Sequence, residues 1–265
     1  MENIKYPITE VTSENLEKVG FFCYMSARKT EGYARKQAWV RERLAEGMRI
    51  RMVLPPEGRG FIEYIPGESA WRAVNAAGYM FIHCLWVVGK SKGSGISSQL
   101  MELCEKDARE QEKLGVAMIT SEDHYMVRKP FLERRGYQAV DEAPPAFTLM
   151  VKNFKEGPLP NFCGDWAKKA EALGDGLTAL RADQCPYLES AVNAYRTTAE
   201  EVGIPFKDIL LNSAVEVRGK SPLAQGVFSL VYNGKLIGDQ YLYGNKTKLL
   251  EKMAEIDGGI FTPAS

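Results

Sequence analysis

A chain of 265 residues is long for one compact domain and comfortable for two, since domains usually run about 100 to 150 residues. Its 45% hydrophobic, 26% charged and 10% aromatic residues make an ordinary globular composition, which argues against a disordered, collagenous or fibrous chain. Lys plus Arg and Asp plus Glu both number 34, so the net charge is zero, no global field gathers a polyanion, and a general nucleic-acid binder is disfavoured.

The first half alternates helical and extended patterns. Thr12-Ser13 ahead of Asn15-Leu16-Glu17 offers caps to a short helix, and Tyr33 to Gly47, rich in Arg, Ala and Leu and closed by glycine, predicts a second. Met48 to Leu54 predicts a strand stopped at Pro55-Pro56, and Phe61 to Ile65 another, ended by Pro66-Gly67. Tyr79 to Val88 is a long, nearly all-apolar stretch, the pattern of a central strand buried on both faces. After a glycine-bearing turn, Ile96, Leu100, Leu103, Cys104 and Ala108 keep the spacing of one helical face, and Gly115 closes the pattern. Val116 to Thr120 predicts a short buried strand, Met126 to Arg135 a short helix ended by Gly136, and Tyr137 to Val140 and Phe147 to Val151 two extended pieces around Pro144-Pro145. The segment Phe154 to Gly176 is dense in glycine and proline, which predicts a connection and a domain boundary near Lys155, giving domains 1–155 and 156–265. Beyond it come a strand (Leu177 to Arg181), a helix (Pro186 to Val202), a strand (Phe206 to Leu211) and a helix capped by Asn212-Ser213. A hairpin at Asn233-Gly234 and a final helix (Lys246 to Ile256) follow.

No stretch approaches the roughly 18 consecutive apolar residues of a membrane span, because Tyr79 to Val88 is interrupted by His83 and ends at Gly89-Lys90. The start MENIKYPITE lacks a basic segment followed by an apolar core, so a cytoplasmic protein without a membrane partner is expected. The five cysteines are odd in number and widely spaced, with no CxxC pair and only His83 and His124 to help them. Neither a disulfide framework nor a metal site is expected.

The most informative stretch is LWVVGKSKGSGISSQLMELC, Leu85 to Cys104, in which a buried strand runs into two glycines and then a helix. The open N–H groups and positive dipole end of a helix start favour an anion, and glycine lets a phosphate approach the backbone. A Walker A loop fails, since its first glycine would fall at Cys84 inside the strand. A dinucleotide fingerprint is weak, because the acidic residue expected roughly 20 residues on is replaced by Gly115 and a strand start.

A third template fits. Leu85, Val87, Lys90, Gly93, Gly95, Ile96 and Leu100 resemble the acetyl-CoA turn of the GNAT acyltransferases, with Lys90 where Gln or Arg is usual, and Lys129-Pro130-Phe131-Leu132-Glu133-Arg134-Arg135-Gly136-Tyr137 looks like their F-Y-E-K-x-G-F segment. The resemblance covers about residues 8 to 151. It implies an α/β fold of the α+β kind with a central mixed sheet, acetyl-CoA as co-substrate, and acetyl transfer to a small-molecule or peptide amine. It also implies that amides from Lys90 to Ile96, including Gly93, Ser94 and Gly95, cradle the pyrophosphate, that the backbone of Val87 and Val88 pairs with pantetheine, and that Lys90 and Lys92 add charge toward phosphate. The runner-up function is a non-catalytic CoA-binding module coupled to a thioredoxin-like interaction domain.

Acetyl transfer to an amine needs a route for the amine's proton and an acid for the leaving thiolate. By the resemblance the acid is a tyrosine at the place of Leu132, so Tyr125 is the substitute. His83 interrupts the central strand, shares alternation with Leu85 and Val87, and carries an imidazole, a group that in general titrates near the working pH; it is a base candidate or a hydrogen-bonded core residue. Glu63 and Glu68 are rivals, as is the cluster Glu122, Asp123 and His124 if it is more than a solvated loop. Cys84 reads as an acyl-carrying nucleophile or a small buried hydrophobe.

In the second half, strand, helix, strand, helix, hairpin, helix is the order of thioredoxin-like domains, and Cys185-Pro186-Tyr187-Leu188 resembles the glutaredoxin motif without its second cysteine. Gly226 stands where that family places a cis-proline. These departures point to a packing or recognition module. The two halves together resemble bacterial acetyltransferases with a YoaP-like C-terminal domain. The oligomeric state stays open, with a homodimer among the options.

Overall fold

The computed structural model describes residues 5–122, 126–238 and 244–258. Its contacts divide the chain into two compact units: residues up to Arg28 with Gln37–Ala70 and Val74–Phe162, and Lys29–Lys36 with Trp71–Ala73 and the chain from Cys163 on. The division falls seven residues later than the glycine and proline content suggests, because β9 (Asn161–Phe162) pairs with β4 (Val74–Asn75) of the first unit.

Along the first unit run β1 (Thr9–Glu10), α1 (Leu16–Val19), α2 (Glu31–Ala45, begun in the second unit's Lys29–Lys36), β2 (Arg49–Val53) and β3 (Gly60–Pro66). After β4 come β5 (Tyr79–Val87), α3 (Ile96–Glu110), β6 (Gly115–Ser121), α4 (Lys129–Glu133), β7 (Gln138–Ala143), β8 (Phe147–Asn153) and β9. Among the described residues the main sheet has seven strands in the order β1-β2-β3-β5-β6-β8-β7, parallel only between β5 and β6. It is a mixed sheet with β5 in the middle. Helix α3 ends at Glu110 and not at Gly115; Gly115 instead opens β6, paired with Tyr79 on one side and Asn153 on the other. The helix predicted over Met126 to Arg135 is the five-residue α4.

Ile96, Leu100, Met101, Cys104 and Ala108 of α3 pack on Ile62, Tyr64, Met80, Ile82 and Leu85 of the sheet. Full burial is worth about 1.5–3 kcal/mol for each larger aliphatic side chain. Arg49 and Arg51 of β2 and the Tyr64 hydroxyl all donate to Asp107 of α3, which is 3% exposed; the Arg51 and Tyr64 bonds measure 3.1 and 2.6 Å. Burial first, then the neighbouring Cys104, holds the Tyr64 phenol far above its ordinary range, so it stays a donor.

The second unit contains α5 (Trp166–Glu171), β10 (Leu177–Arg181), α6 (Leu188–Glu201), β11 (Phe206–Leu210), α7 (Ala214–Lys220), β12 (Phe228–Tyr232), β13 (Lys235–Gly238) and α8 (Lys246–Asp257). Helix α5 lies where the sequence reads as connection. The sheet order is β11-β10-β12-β13, with β10 and β11 parallel and the other neighbours antiparallel. Asn233 and Gly234 take φ of 45° and 71°, the left-handed pair that a two-residue hairpin turn requires. Ser213 caps α7 by accepting from the Glu216 N–H at 3.1 Å, while Glu216 accepts from the Asn212 N–H at 2.7 Å. Leu188, Val192 and Tyr195 of α6 and Leu249 and Met253 of α8 close the core over the sheet.

Candidate functional site

Strand β5 pairs with β3 as far as Val87, but with β6 only from Tyr79 to Ile82. Beyond Ile82 the two parallel strands part, and the β6 side of β5 is an open edge. Val88 does not belong to that edge, contrary to the expectation from sequence, since its N–H donates to the Arg59 carbonyl at 3.0 Å and its carbonyl accepts from the Ser91 N–H at 3.2 Å. By strand alternation the open groups are those of Leu85 and Val87. A cleft of about 200 Å³ lies here, lined by Leu85, Val87, Ser97, Val127, Arg128 and Phe131.

At the end of β5 the chain makes a tight turn, Gly89–Ser91, and reaches α3 through Gly93 and Gly95, whose φ values are 78° and 96°. A Cβ at either glycine would point into open space, so both were free to present backbone outward. The expected cradle from Lys90 to Ile96 is narrower than the sequence suggests: the N–H groups of Ser91, Lys92 and Ser94 are spent within the turn. Among the described residues nothing accepts from the Gly93 and Gly95 N–H groups, and the first turn of α3, which begins at Ile96, carries neither a side-chain cap nor an acidic residue. This positive pole is therefore left for an external anion. Lys90 and Lys92 are exposed beside it. The Ser94 carbonyl accepts from Tyr6 Oη at 2.9 Å and Lys5 Nζ at 3.2 Å, which fixes the turn from its far side. The sequence reading missed Ser97 and Ser98; their signal was two hydroxyls in the helix turn directly after Gly93-x-Gly95.

The ladder between β3 and β5 shifts register between Glu63 and Tyr64, which oppose Cys84 and Ile82, so His83 is the extra residue of a bulge. The bulge corrects the alternation read from sequence. Leu85 faces α3 with Ile82, whereas the His83 ring lies with Phe81 and against Trp39 of α2, at centroid distances of 6.2 and 6.1 Å. His83 Nδ1 stands 3.3 Å from Glu63 Oε1, with both side chains buried. Glu68 is committed elsewhere, accepting from the Gly78 N–H at 2.8 Å and pairing with Lys113 at 3.3 Å. Burial opposes its ionisation, but those bonds outweigh it and hold the carboxyl below its ordinary range. Leu132 is fully buried in the core, and Phe131 lines the cleft in its place. Tyr125, Asp123 and His124 lie outside the described residues.

Glu122 accepts from the Lys129 N–H at 3.3 Å and borders a second cavity of about 520 Å³, together with Lys129, Glu142, Pro144, Pro145 and Phe147. None of the five cysteines is in a disulfide, Cys84 is half-buried, and no three His, Cys, Asp or Glu of the described residues converge as a metal site. Cys185 lies three residues before α6, so it does not open that helix, and Leu188 points into the core. Among the described residues no helix is long and apolar enough to cross a membrane.

Over 251 residues the chain is 31% identical to a Bacillus subtilis (strain 168) protein named as the uncharacterized N-acetyltransferase YoaP, a match spanning 92% of this chain and 98% of that one. The chain belongs to the YoaP-type N-acetyltransferases. Their shared length takes in both units and makes this chain an acyltransferase. No family model matches it. Among solved structures, an aminoglycoside 6′-acetyltransferase type Ii is similar at 20% identity and a TM-score of 0.41, over 57% of this chain and 99% of that one. The PaiA N-acetyltransferase of Thermoplasma acidophilum in complex with coenzyme A is similar at 14% identity and a TM-score of 0.40, over 56% and 99%.

Proposed function

We propose that the first unit is a GNAT-type enzyme that transfers the acetyl group of acetyl-CoA to the primary amine of a small-molecule or peptide acceptor by direct attack. The observation that carries this reading is the parting of β5 and β6 after Ile82 beside the uncapped start of α3, an open strand edge next to an anion site. In it the Gly93 and Gly95 amides and the first turn of α3 hold the pyrophosphate, Lys90 and Lys92 add charge, and the Leu85 and Val87 backbone pairs with pantetheine. The amine must be uncharged to attack the thioester carbonyl; as the C–N bond forms and the C–S bond breaks, its proton leaves and the CoA thiolate departs. His83, oriented by Glu63, takes that proton, and Tyr125 supplies the acid. In the second cavity the carboxylates of Glu122 and Glu142 outnumber the one lysine, Lys129, which suits a cationic acceptor before it loses its proton.

Replacing Gly93 by valine tests the reading. An added Cβ meets no protein atom within 4 Å, but the φ of 78° strains any side chain there, so valine shifts the turn locally and obstructs the phosphate, and CoA affinity falls by more than about tenfold while the rest of the fold persists. Calorimetry showing unchanged CoA affinity in Gly93→Val would overturn the site. Coenzyme A release with a panel of amines separates catalysis from CoA binding alone, the reading that the burial of Leu132 favours.

The second unit we read as thioredoxin-like, supported by its sheet order and by helices α6, α7 and α8 falling between and after the strands. Cys185 has no partner cysteine in C-P-Y-L, so the unit serves packing or recognition in a cytoplasmic protein with reduced thiols. The purified chain is expected not to reduce insulin disulfides. Dithiol turnover lost in Cys185→Ser would contradict this.

A further inference from the structure

We infer that Arg135 is a positioning residue for the CoA cleft: it fastens the wall carried by Phe131 to the first turn of α3. The inference rests on the reading that this cleft receives acetyl-CoA. Arg135 follows α4. Its Nη2 donates to Ser98 Oγ, its Nη1 donates to the Phe131 carbonyl at 3.1 Å, and its guanidinium carbon stands 3.6 Å from the centre of the Phe131 ring. One planar group thus joins a hydroxyl in the first turn of α3, a carbonyl of α4 and an aromatic face.

The need for such a tie follows from the length of α4. Five residues make barely one helical turn, which cannot hold its own conformation, so its direction is set by side-chain contacts. Phe131 on α4 and Ser97 on α3 both line the cleft, and Arg135 spans the same two elements. If the tie is cut, the Phe131 wall and the helix start lose their fixed separation. Arginine suits the task because its donors lie in one rigid plane that also stacks on a ring, which a lysine ammonium cannot reproduce. Glu102 and Glu105 of α3 favour its charge there.

The experiment measures CoA affinity by calorimetry and unfolding temperature without ligand, on the full chain and on Arg135→Met, Arg135→Lys, Ser98→Ala and the Arg135→Met/Ser98→Ala pair. Arg135→Met is expected to weaken CoA about tenfold, within what small misplacements of positioning groups cost, and to raise KM for acetyl-CoA with kcat unchanged. Arg135→Lys should recover little of the loss, and the double variant should be no weaker than Arg135→Met, because both residues act through one contact. Affinity within twofold of the parent in Arg135→Met, full rescue by lysine, additive losses in the pair, or a lowered unfolding temperature with affinity intact would each overturn the inference. Failure of the parent chain to bind CoA would instead overturn the functional reading beneath it.

Discussion

Replacing His83 by glutamine is expected to lower kcat for acetyl transfer by about a hundred-fold to ten-thousand-fold, with KM for acetyl-CoA changed by less than about threefold. The expectation comes from place and partner together. His83 is the extra residue of a bulge, immediately after the last β5 residue paired with β6, so it stands where the open edge begins. The Glu63 carboxylate stands 3.3 Å from Nδ1 and places a negative charge beside the ring. Glutamine keeps the approximate volume and a hydrogen-bonding end but cannot cycle a proton. Because the side chain is buried, the same samples need a thermal melt, and a loss of kcat at unchanged unfolding temperature is the signature of a proton carrier. Tyr125→Phe is the companion measurement. If both variants keep kcat within about threefold of the parent, far less than general acid–base loss predicts, neither residue carries the proton.

Asp107→Ala is expected to lower the unfolding free energy of the first unit by about 3–5 kcal/mol, the cost of removing one partner from a buried ion pair. Asp107 has no route to water: it is 3% exposed and accepts from Arg49, Arg51 and the Tyr64 hydroxyl. Removing it takes the acceptor from the buried Tyr64 hydroxyl and leaves the buried Arg51 guanidinium only Glu10 at 3.6 Å and the Leu103 carbonyl at 3.4 Å. Asp107→Asn keeps the volume and one acceptor oxygen, so it should cost less than the alanine change. Urea titration followed by circular dichroism measures both, and a loss below about 1 kcal/mol for Asp107→Ala would show that the cluster contributes no more than an exposed ion pair. Since α3 carries the candidate anion site at its other end, the alanine variant should also bind CoA more weakly.

Local features of the chain were legible from its residues alone, because adjacent residues decide them. Asn233-Gly234 specifies its own turn, Ser213 and Glu216 their own cap, and the apolar run of β5 its central place, since no outer strand tolerates apolar side chains on both faces. Gly93 and Gly95 belong to the same class, and the candidate anion-binding turn was therefore visible at once. The surroundings of the candidate catalytic residues were not. A strand read by strict alternation sends His83 to the side of Leu85 and Val87, and only pairing with a strand about 20 residues away, whose register slips at Glu63, turns it toward Phe81 and Trp39. In the same way, nothing within β5 says that β6 leaves it after Ile82, that Val88 is claimed by Arg59, or that Glu68 is held by Gly78 and Lys113. The physical reason is common to all of these. Turns, caps and burial follow from the covalent neighbourhood, whereas register, strand departure and side-chain partners depend on which distant segments share the sheet, so the tertiary structure alone decides them.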